Sequence, residues 1–330
     1  MQSKKIIFRC DGGKNVGFGH LKRCLSLAHE FKFYHNAQVF FAIGGDESAI
    51  EFARNEGYEI LSNLSSPKLK LHSSLISIKP DAIFFDVRDQ TTRSELDAIK
   101  ELGIKIVVLD DSNDRRLSAD YVFYPPVPQV KKLDWSEFRG KKYVGWEWVF
   151  LSEDFYSPNI LPNSKKDFKS NRLLITMGGV DPLDLSYQIL SLLKAVKFDE
   201  EIILVLGSGY QGRVNEEALD GCENIKLFRA PKSMREVMHH ANFAISAFGV
   251  TAYELASMGI PSLLICNDQD DCSSAEVFSN ENMAKIITTQ NLNGPILEEN
   301  LKCLLDIKFP EHKNLNIGSG LKKVYSTIWH

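Results

Sequence analysis

Short unbroken apolar runs alternate with amphipathic stretches along almost the whole chain, and this rhythm restricts the fold more than any other feature. In the first half the runs are Ile6–Arg9, Gln38–Ile43, Ala82–Asp86 and Ile104–Asp110. Between the first two, Leu21, Cys24, Leu25, Ala28 and Phe31 recur at i, i+3, i+4, i+7 and i+10, one face of a helix. A strand buried on both faces reads as a continuous apolar run, so the sheet is expected to be parallel with helical crossovers. The rhythm stops from Tyr156 to Asn171, where Pro158, Asn159, Pro162, Asn163, Ser164 and three lysines read as a linker. It resumes with runs at Arg172–Met177, Glu201–Leu206, Asn224–Phe228, Phe243–Ser246 and Pro261–Cys266, and with helices such as Pro182–Leu193 and Ala252–Met258. A chain of 330 residues has room for two domains of roughly 100–200 residues each. The expected fold is therefore α/β, two Rossmann-like domains at 1–158 and 159–330. The closing segment Gly320–His330 reads as a helix, and in two-domain folds of this kind the last helix often returns to the first domain.

The net charge of −4, from 39 basic and 43 acidic residues, argues against a nucleic-acid partner. Lys131-Lys132 and Lys165-Lys166 read as solvated faces. No segment approaches the roughly 20 apolar residues that span a bilayer. The start, Met1 to Lys5, lacks a signal peptide's apolar run and cleavage site. Cys10, Cys24, Cys222, Cys266, Cys272 and Cys303 form no CxxC pair and read as small core residues in a reducing cytoplasm.

Open parallel sheets bind ligands beyond the carboxyl ends of their strands, so the loops there are the candidate chemistry. The first runs from Cys10 to His20 and holds Asp11, Gly12, Gly13, Gly17 and Gly19. Its glycines allow close backbone approach, and the helix start favours anions. His20 stands where a general base or water-orienting group would stand, with Asp11 as the alternative; the plain reading is a tight turn with a packed or capping His20. The second is Met177-Gly178-Gly179-Val180-Asp181-Pro182, a diphosphate cradle or a simple turn with Asp181 as N-cap and Pro182 at the first helical position. The third runs from Ser246 to Glu254. Its backbone at Phe248, Gly249 and Val250, with Thr251, suits a phosphate, and Glu254 suits ribose hydroxyls or simply an acid near a helix start. In the fourth, Asn267 and Gln269 suit hydroxyl or N-acyl groups of a sugar. The fifth holds Asp86, Arg88 and Asp89, with Asp110-Asp111 ending the next run. With no nearby His or third ligand, loop capping and sugar hydroxyl contacts are expected there rather than a metal.

These five loops in this order resemble the hydrolase family of pseudaminic acid biosynthesis, which acts on UDP-2,4-diacetamido-2,4,6-trideoxy-β-L-altrose, together with the related spore-coat polysaccharide SpsG group. Gly17-Phe18-Gly19-His20-x-x-Arg23 is similar to that family's opening motif, whose histidine is catalytic. Gly178-Gly179-x-Asp181, the stretch from Gly145-Trp146-Glu147-Trp148 to Glu153-Asp154-Phe155, Ser246 to Glu254 and Asn267-x-Gln269 match further motifs. The resemblance implies a GT-B architecture, with the two domains facing across a cleft. It implies UDP held mainly by the second domain and water attack at the anomeric carbon. Gly17, Gly19, Arg23, Asp86, Arg88, Asn267 and Gln269 would meet the sugar. Gly178, Gly179, Asp181, Phe248, Gly249, Val250, Thr251 and Glu254 would meet the nucleotide. The expected partner is a UDP-sugar, with no metal or cofactor. Two departures stand out. Asp86-Val87-Arg88-Asp89 lacks the His-Tyr of the pseudaminic enzymes, and Ala247 to Thr251 is nearer the SpsG side. A GT-B glycosyltransferase and a non-catalytic sugar-nucleotide binder are the competing readings, because fold alone does not select among them.

Overall fold

The computed structural model describes residues 3–13, 16–61, 74–156, 171–215, 219, 221–306 and 315–330. It divides into two compact units, Met1–Ser152 with Leu315–His330, and Glu153–Asn314. Nearly all of the linker read from sequence, and the 158/159 border within it, lie outside the described residues.

The first unit is built on a parallel sheet of β1 (Lys5–Gly12), β2 (Gln38–Gly45), β3 (Glu59–Ile60), β4 (Ala82–Asp86), β5 (Lys105–Leu109), β6 (Tyr121–Tyr124) and β7 (Lys141–Val144), in the order β3-β2-β1-β4-β5-β6-β7. Its helices are α1 (Gly19–His29), α2 (Glu47–Asn55) and α3 (Arg93–Glu101). The order reverses between β1 and β4, which makes their carboxyl ends the crevice where such sheets take ligands. Phe8 of β1 anchors the core, with ring centroids 5.4 Å from Phe41, 4.8 Å from Phe84 and 6.1 Å from Phe31.

The second unit repeats the plan with β8 (Arg172–Thr176), β9 (Glu201–Leu206), β10 (Ile225–Arg229), β11 (Phe243–Ala247), β12 (Ser262–Cys266) and β13 (Ala284–Thr288), in the order β10-β9-β8-β11-β12-β13, all parallel. Its helices are α4 (Leu185–Ala195), α5 (Met234–Met238), α6 (Val250–Ser257), α7 (Gln269–Asn280) and α8 (Gly294–Asp306). Here the reversal falls between β8 and β11. The last helix, α9 (Leu321–Trp329), belongs to the first unit. It buries Leu321, Val324 and Ile328, and sets Tyr325 and Trp329 edge-on to Phe31 at 5.6 and 6.0 Å.

Several expectations need correction. Strands β3, β7 and β13 escape the apolar-run criterion, and β6, an apolar run of four, is absent from the expected strands. β7 is an edge strand whose Lys141 and Lys142 are exposed, a pattern that blocks further pairing but hides the strand. The helix expected at Pro182 begins at Leu185, because Asp181 and Asp184 both take left-handed backbone, with φ of 48° and 51°. Asp184 is its N-cap residue, not Asp181. The cysteines are not uniformly core residues. Cys10, Cys24 and Cys266 are buried, Cys222 and Cys272 are partly exposed and Cys303 is exposed, all as free thiols.

Candidate active site

In the first unit the switch-point loops bring Asp86 against two residues more than sixty positions earlier in the chain, His20 and Arg23. Asp86 ends β4 beside Cys10 of β1. His20 and Arg23 lie one turn apart on α1, hence on one face. The His20 Nδ1 stands 2.6 Å from Asp86 Oδ1. Arg23 grips the same carboxylate as a fork, donating from Nε to Oδ2 and from Nη2 to Oδ1, both at 2.7 Å. Its Nη1 donates to Asp110 Oδ2 at 3.2 Å. The expectation that Asp86 has no histidine nearby is therefore corrected; the parallel crossover folds one against it.

The Asp86 side chain is 1% exposed. Burial alone would raise its pKa, but the Arg23 charge and the bonds from His20 and Arg23 outweigh that and hold it at about 2. The same ion pairs raise the Arg23 pKa against the opposing effect of burial. An ionised carboxylate only accepts hydrogen bonds, so the proton of the short contact resides on His20 Nδ1. Arg23 Nη2 also lies 3.4 Å from Nδ1. That contact would need Nδ1 to accept, and the shorter one to the anion prevails. A neutral imidazole so held keeps its lone pair on Nε2, the form a general base needs. His20 is thus oriented by a buried acid rather than serving as a cap; the residue at the cap, Phe18, has no side-chain cap bond either.

The remaining first-unit candidates have different surroundings. Gly17 closes the loop on itself, its carbonyl accepting from the Gly13 amide at 3.1 Å, and Gly19 opens α1. Asp11 is buried and doubly engaged. Its Oδ1 accepts from Arg9 Nη1 at 2.9 Å, and its Oδ2 accepts from the Arg88 amide at 2.7 Å. The Arg88 side chain is exposed. Asp89 bridges two arginines, Arg9 Nη2 at 2.6 Å and Arg115 Nη1 at 3.1 Å. Burial would raise its pKa, but Thr91, Arg9 and Arg115 together lower it. Neither Arg9 nor Arg115 stands out in sequence as a site residue, since each is one basic residue in an ordinary context.

In the second unit, the loops after β8, β11 and β12 share the carboxyl edge of one sheet. Gly178 has φ of 80°, which an L-residue tolerates poorly. A Cβ on Gly179 or Gly249 would meet nothing within 4 Å, so no neighbour among the described residues requires glycine there. Gly207 is the opposite case, since its Cβ would fall 2.3 Å from the Gly179 carbonyl oxygen. The Gly207-Ser208-Gly209 turn cradles that loop, with the Gly209 amide donating to Gly179 O at 2.9 Å. Sequence reasoning missed this turn, although two glycines directly after the Glu201–Leu206 run were a visible signal.

Helix starts separate the candidates further. The first amides of a helix lack partners within it and attract an anion unless a side chain satisfies them. Asp181 accepts from the Leu185 and Ser186 amides at 2.8 and 2.9 Å, so α4 is already neutralised. The expectation that the helix after Gly179 meets a diphosphate is corrected accordingly. Asp268 caps α7 from its own side chain, accepting from the Asp271 amide at 2.8 Å. Asp46 caps α2, Thr92 and Glu95 form a capping box on α3, Ser233 caps α5, and Asn293 accepts from the Ile296 amide at the start of α8. Among the described helices that leave a strand's carboxyl end, α1, α4 and α6 have no bond from the N-cap side chain and no acid in the first turn, but Asp181 satisfies α4 from upstream, which leaves α1 and α6 bare. Each stands at its sheet's switch point. Phe248 and Gly249 precede α6, Val250 and Thr251 open it, and Glu254 lies half-buried in its second turn. Asn267 and Gln269 are exposed at the start of α7. Among the described residues, no three His, Cys, Asp or Glu side chains converge as metal ligands.

The chain is similar to several known proteins. Residues 172–327 match the glycosyltransferase family 28 C-terminal domain. An uncharacterized protein of Methanocaldococcus jannaschii, MJ1062, is 26% identical over 98% of this chain, which spans 66% of that relative's length. The spore coat polysaccharide biosynthesis protein SpsG of Bacillus subtilis is 24% identical, covering 83% of this chain and 80% of SpsG. The UDP-2,4-diacetamido-2,4,6-trideoxy-beta-L-altropyranose hydrolase of Campylobacter jejuni is also 24% identical, covering 72% of this chain and 82% of the hydrolase. Among solved structures, the glycotransferase of kitacinnamycin superposes with a TM-score of 0.70 at 12% identity, covering 99% of both chains. Acinetobacter baumannii MurG does so at 0.61 and 14% identity, covering 97% of this chain and 95% of MurG. The fold is the two-unit α/β fold of the GT-B glycosyltransferases. No helix among the described residues is long and apolar enough to cross a membrane.

Proposed function

We propose that this protein is a nucleotide-sugar hydrolase that releases UDP from a UDP-linked amino or deoxy sugar in nonulosonic acid or surface polysaccharide biosynthesis. UDP-2,4-diacetamido-2,4,6-trideoxy-β-L-altrose is the first substrate to test, because a relative's name specifies it. The observation that carries the reading is the His20–Asp86–Arg23 arrangement. His20 Nε2 takes a proton from water as its oxygen bonds to the anomeric carbon. The bond from that carbon to the phosphate oxygen breaks, and its electron pair leaves with UDP. In the second unit, the bare start of α6 and the open Gly178-Gly179 loop offer backbone amides to a diphosphate. The free cysteines among the described residues fit a cytoplasmic setting.

A GT-B glycosyltransferase is the second reading, favoured by the family match over residues 172–327. Incubation with UDP-sugars and no acceptor separates the two. Stoichiometric release of UDP and free sugar is the expected result. Turnover that appears only when an acceptor hydroxyl is added makes the protein a transferase, and UDP binding without any turnover makes it a binder. Hydrolysis is expected to persist in excess EDTA, since helix amides neutralise the phosphates; loss of activity restored by Mg²⁺ would refute that.

A further inference from the structure

We infer that Arg115 is a positioning residue that fixes the hydrogen-bonding state of His20 by clamping the loop after Asp86. The guanidinium is 1% exposed and contacts neither His20 nor Arg23 in any recorded bond. It instead grips the chain just beyond Asp86 at alternate carbonyls. Nη2 donates to Val87 O at 2.8 Å, and Nη1 donates to Asp89 O and Thr91 O, both at 3.0 Å. Nη1 also meets the Asp89 carboxylate, and Nε donates to Asp111. From the other side Arg9 holds the second Asp89 oxygen, and Asp11, itself held by Arg9, accepts the Arg88 amide. The five residues between Asp86 and the capped start of α3 are thus fastened along their length.

Burying these charges is an expensive way to hold a loop, because desolvation consumes much of what the ion pairs return. Apolar packing would serve stability at least as well. What the fork adds is direction, since a planar guanidinium with five donors fixes several acceptors at once. The residue directly ahead of the clamped segment is Asp86, whose 2.6 Å contact selects the Nδ1-protonated form of His20. The clamp therefore serves the proposed hydrolysis, and its link to catalysis rests on that reading, but its effect on His20 does not.

The test is Arg115→Lys, which keeps the charge and loses the fork. Long-range ¹⁵N–¹H spectra of the imidazoles read the His20 tautomer directly, and steady-state kinetics read the consequence. In the wild type a single Nδ1–H form is expected. The folded variant should show a mixture of tautomers, a kcat reduced by at least about tenfold and a KM within about threefold of wild type. An unchanged tautomer in the folded variant, or a kcat equal to that of an active wild type, overturns the proposal and leaves Arg115 a structural residue. If Arg115→Lys does not fold, Asp89→Asn decides by the same readouts, because it keeps the shape at a partly exposed node and removes the shared charge. If the wild type hydrolyses no UDP-sugar, the functional reading fails while the tautomer measurement still decides the clamp.

Discussion

What a histidine can do depends on which of its nitrogens is occupied. Asp86 takes Nδ1, so Nε2 is left with the lone pair. His20→Asn or His20→Ala should cut turnover by about 10²–10⁴-fold, the usual contribution of a positioned acid–base group. UDP affinity should stay near wild type, and melting temperature should fall only modestly, because Arg23 still holds the buried Asp86 carboxylate. A stable variant with wild-type turnover would assign the water to another group and end this mechanism. Asp86 itself should be visible in acid. Its folded pKa of about 2 lies below the ordinary 3.8, so its contribution is complete above the unfolded value and disappears as pH falls through about 2. The shift corresponds to about 2 kcal/mol lost between pH 4 and pH 2. Denaturant melts of Asp86→Asn should show lower stability at pH 7 and a flatter dependence across that window; a slope equal to wild type would mean the carboxylate is not what titrates.

At the scale of elements, a bare helix start and an open glycine loop are what distinguish α6 and the turn after β8 from their neighbours. Gly179→Ala and Gly249→Ala place a methyl in open space, on backbone outside the left-handed region. Such changes should leave stability equal or raise it by about 0.4–1 kcal/mol through the unfolded chain. They should weaken UDP by ~1–3 kcal/mol, roughly 5- to 150-fold, if the nucleotide fills that space. Calorimetric affinity unchanged in both variants would remove these loops from the site. The contrast with Gly207 shows why motif reading goes only so far. In sequence the glycines of 178, 179, 207 and 249 look alike, yet Gly207 supports backbone packing and the other three face open space among the described residues. Apolar runs made β1, β4 and β9 plain to read, because strands buried on both faces carry no polar alternation. Very short or lysine-bearing strands such as β3 and β7 carried no such mark. The His20–Asp86 contact was illegible for a different reason, since it depends on the register of β1 beside β4 across 66 positions. Asp181 misled for a third reason: it reaches the first amides of α4 from four residues ahead, across a turn in which Asp181 and Asp184 take left-handed backbone.

Across the whole molecule, the first unit is discontinuous in sequence. Glu153–Asn314 is made after most of that unit and before the helix that completes it. On a ribosome adding roughly 5–20 residues per second, some 160 residues of intervening chain mean a wait of about 10–30 s. During that interval the surface that Leu321, Val324 and Ile328 will cover, and the Phe31 edge that Tyr325 and Trp329 will meet, lack their native cover. The second unit, contiguous in the chain, has no such wait and can finish folding first. Birth order therefore runs opposite to reading order: the half that starts the polypeptide is the last to be sealed. Whatever slows synthesis between β8 and α8 prolongs the exposure of a sticky aromatic surface more than a hundred residues upstream.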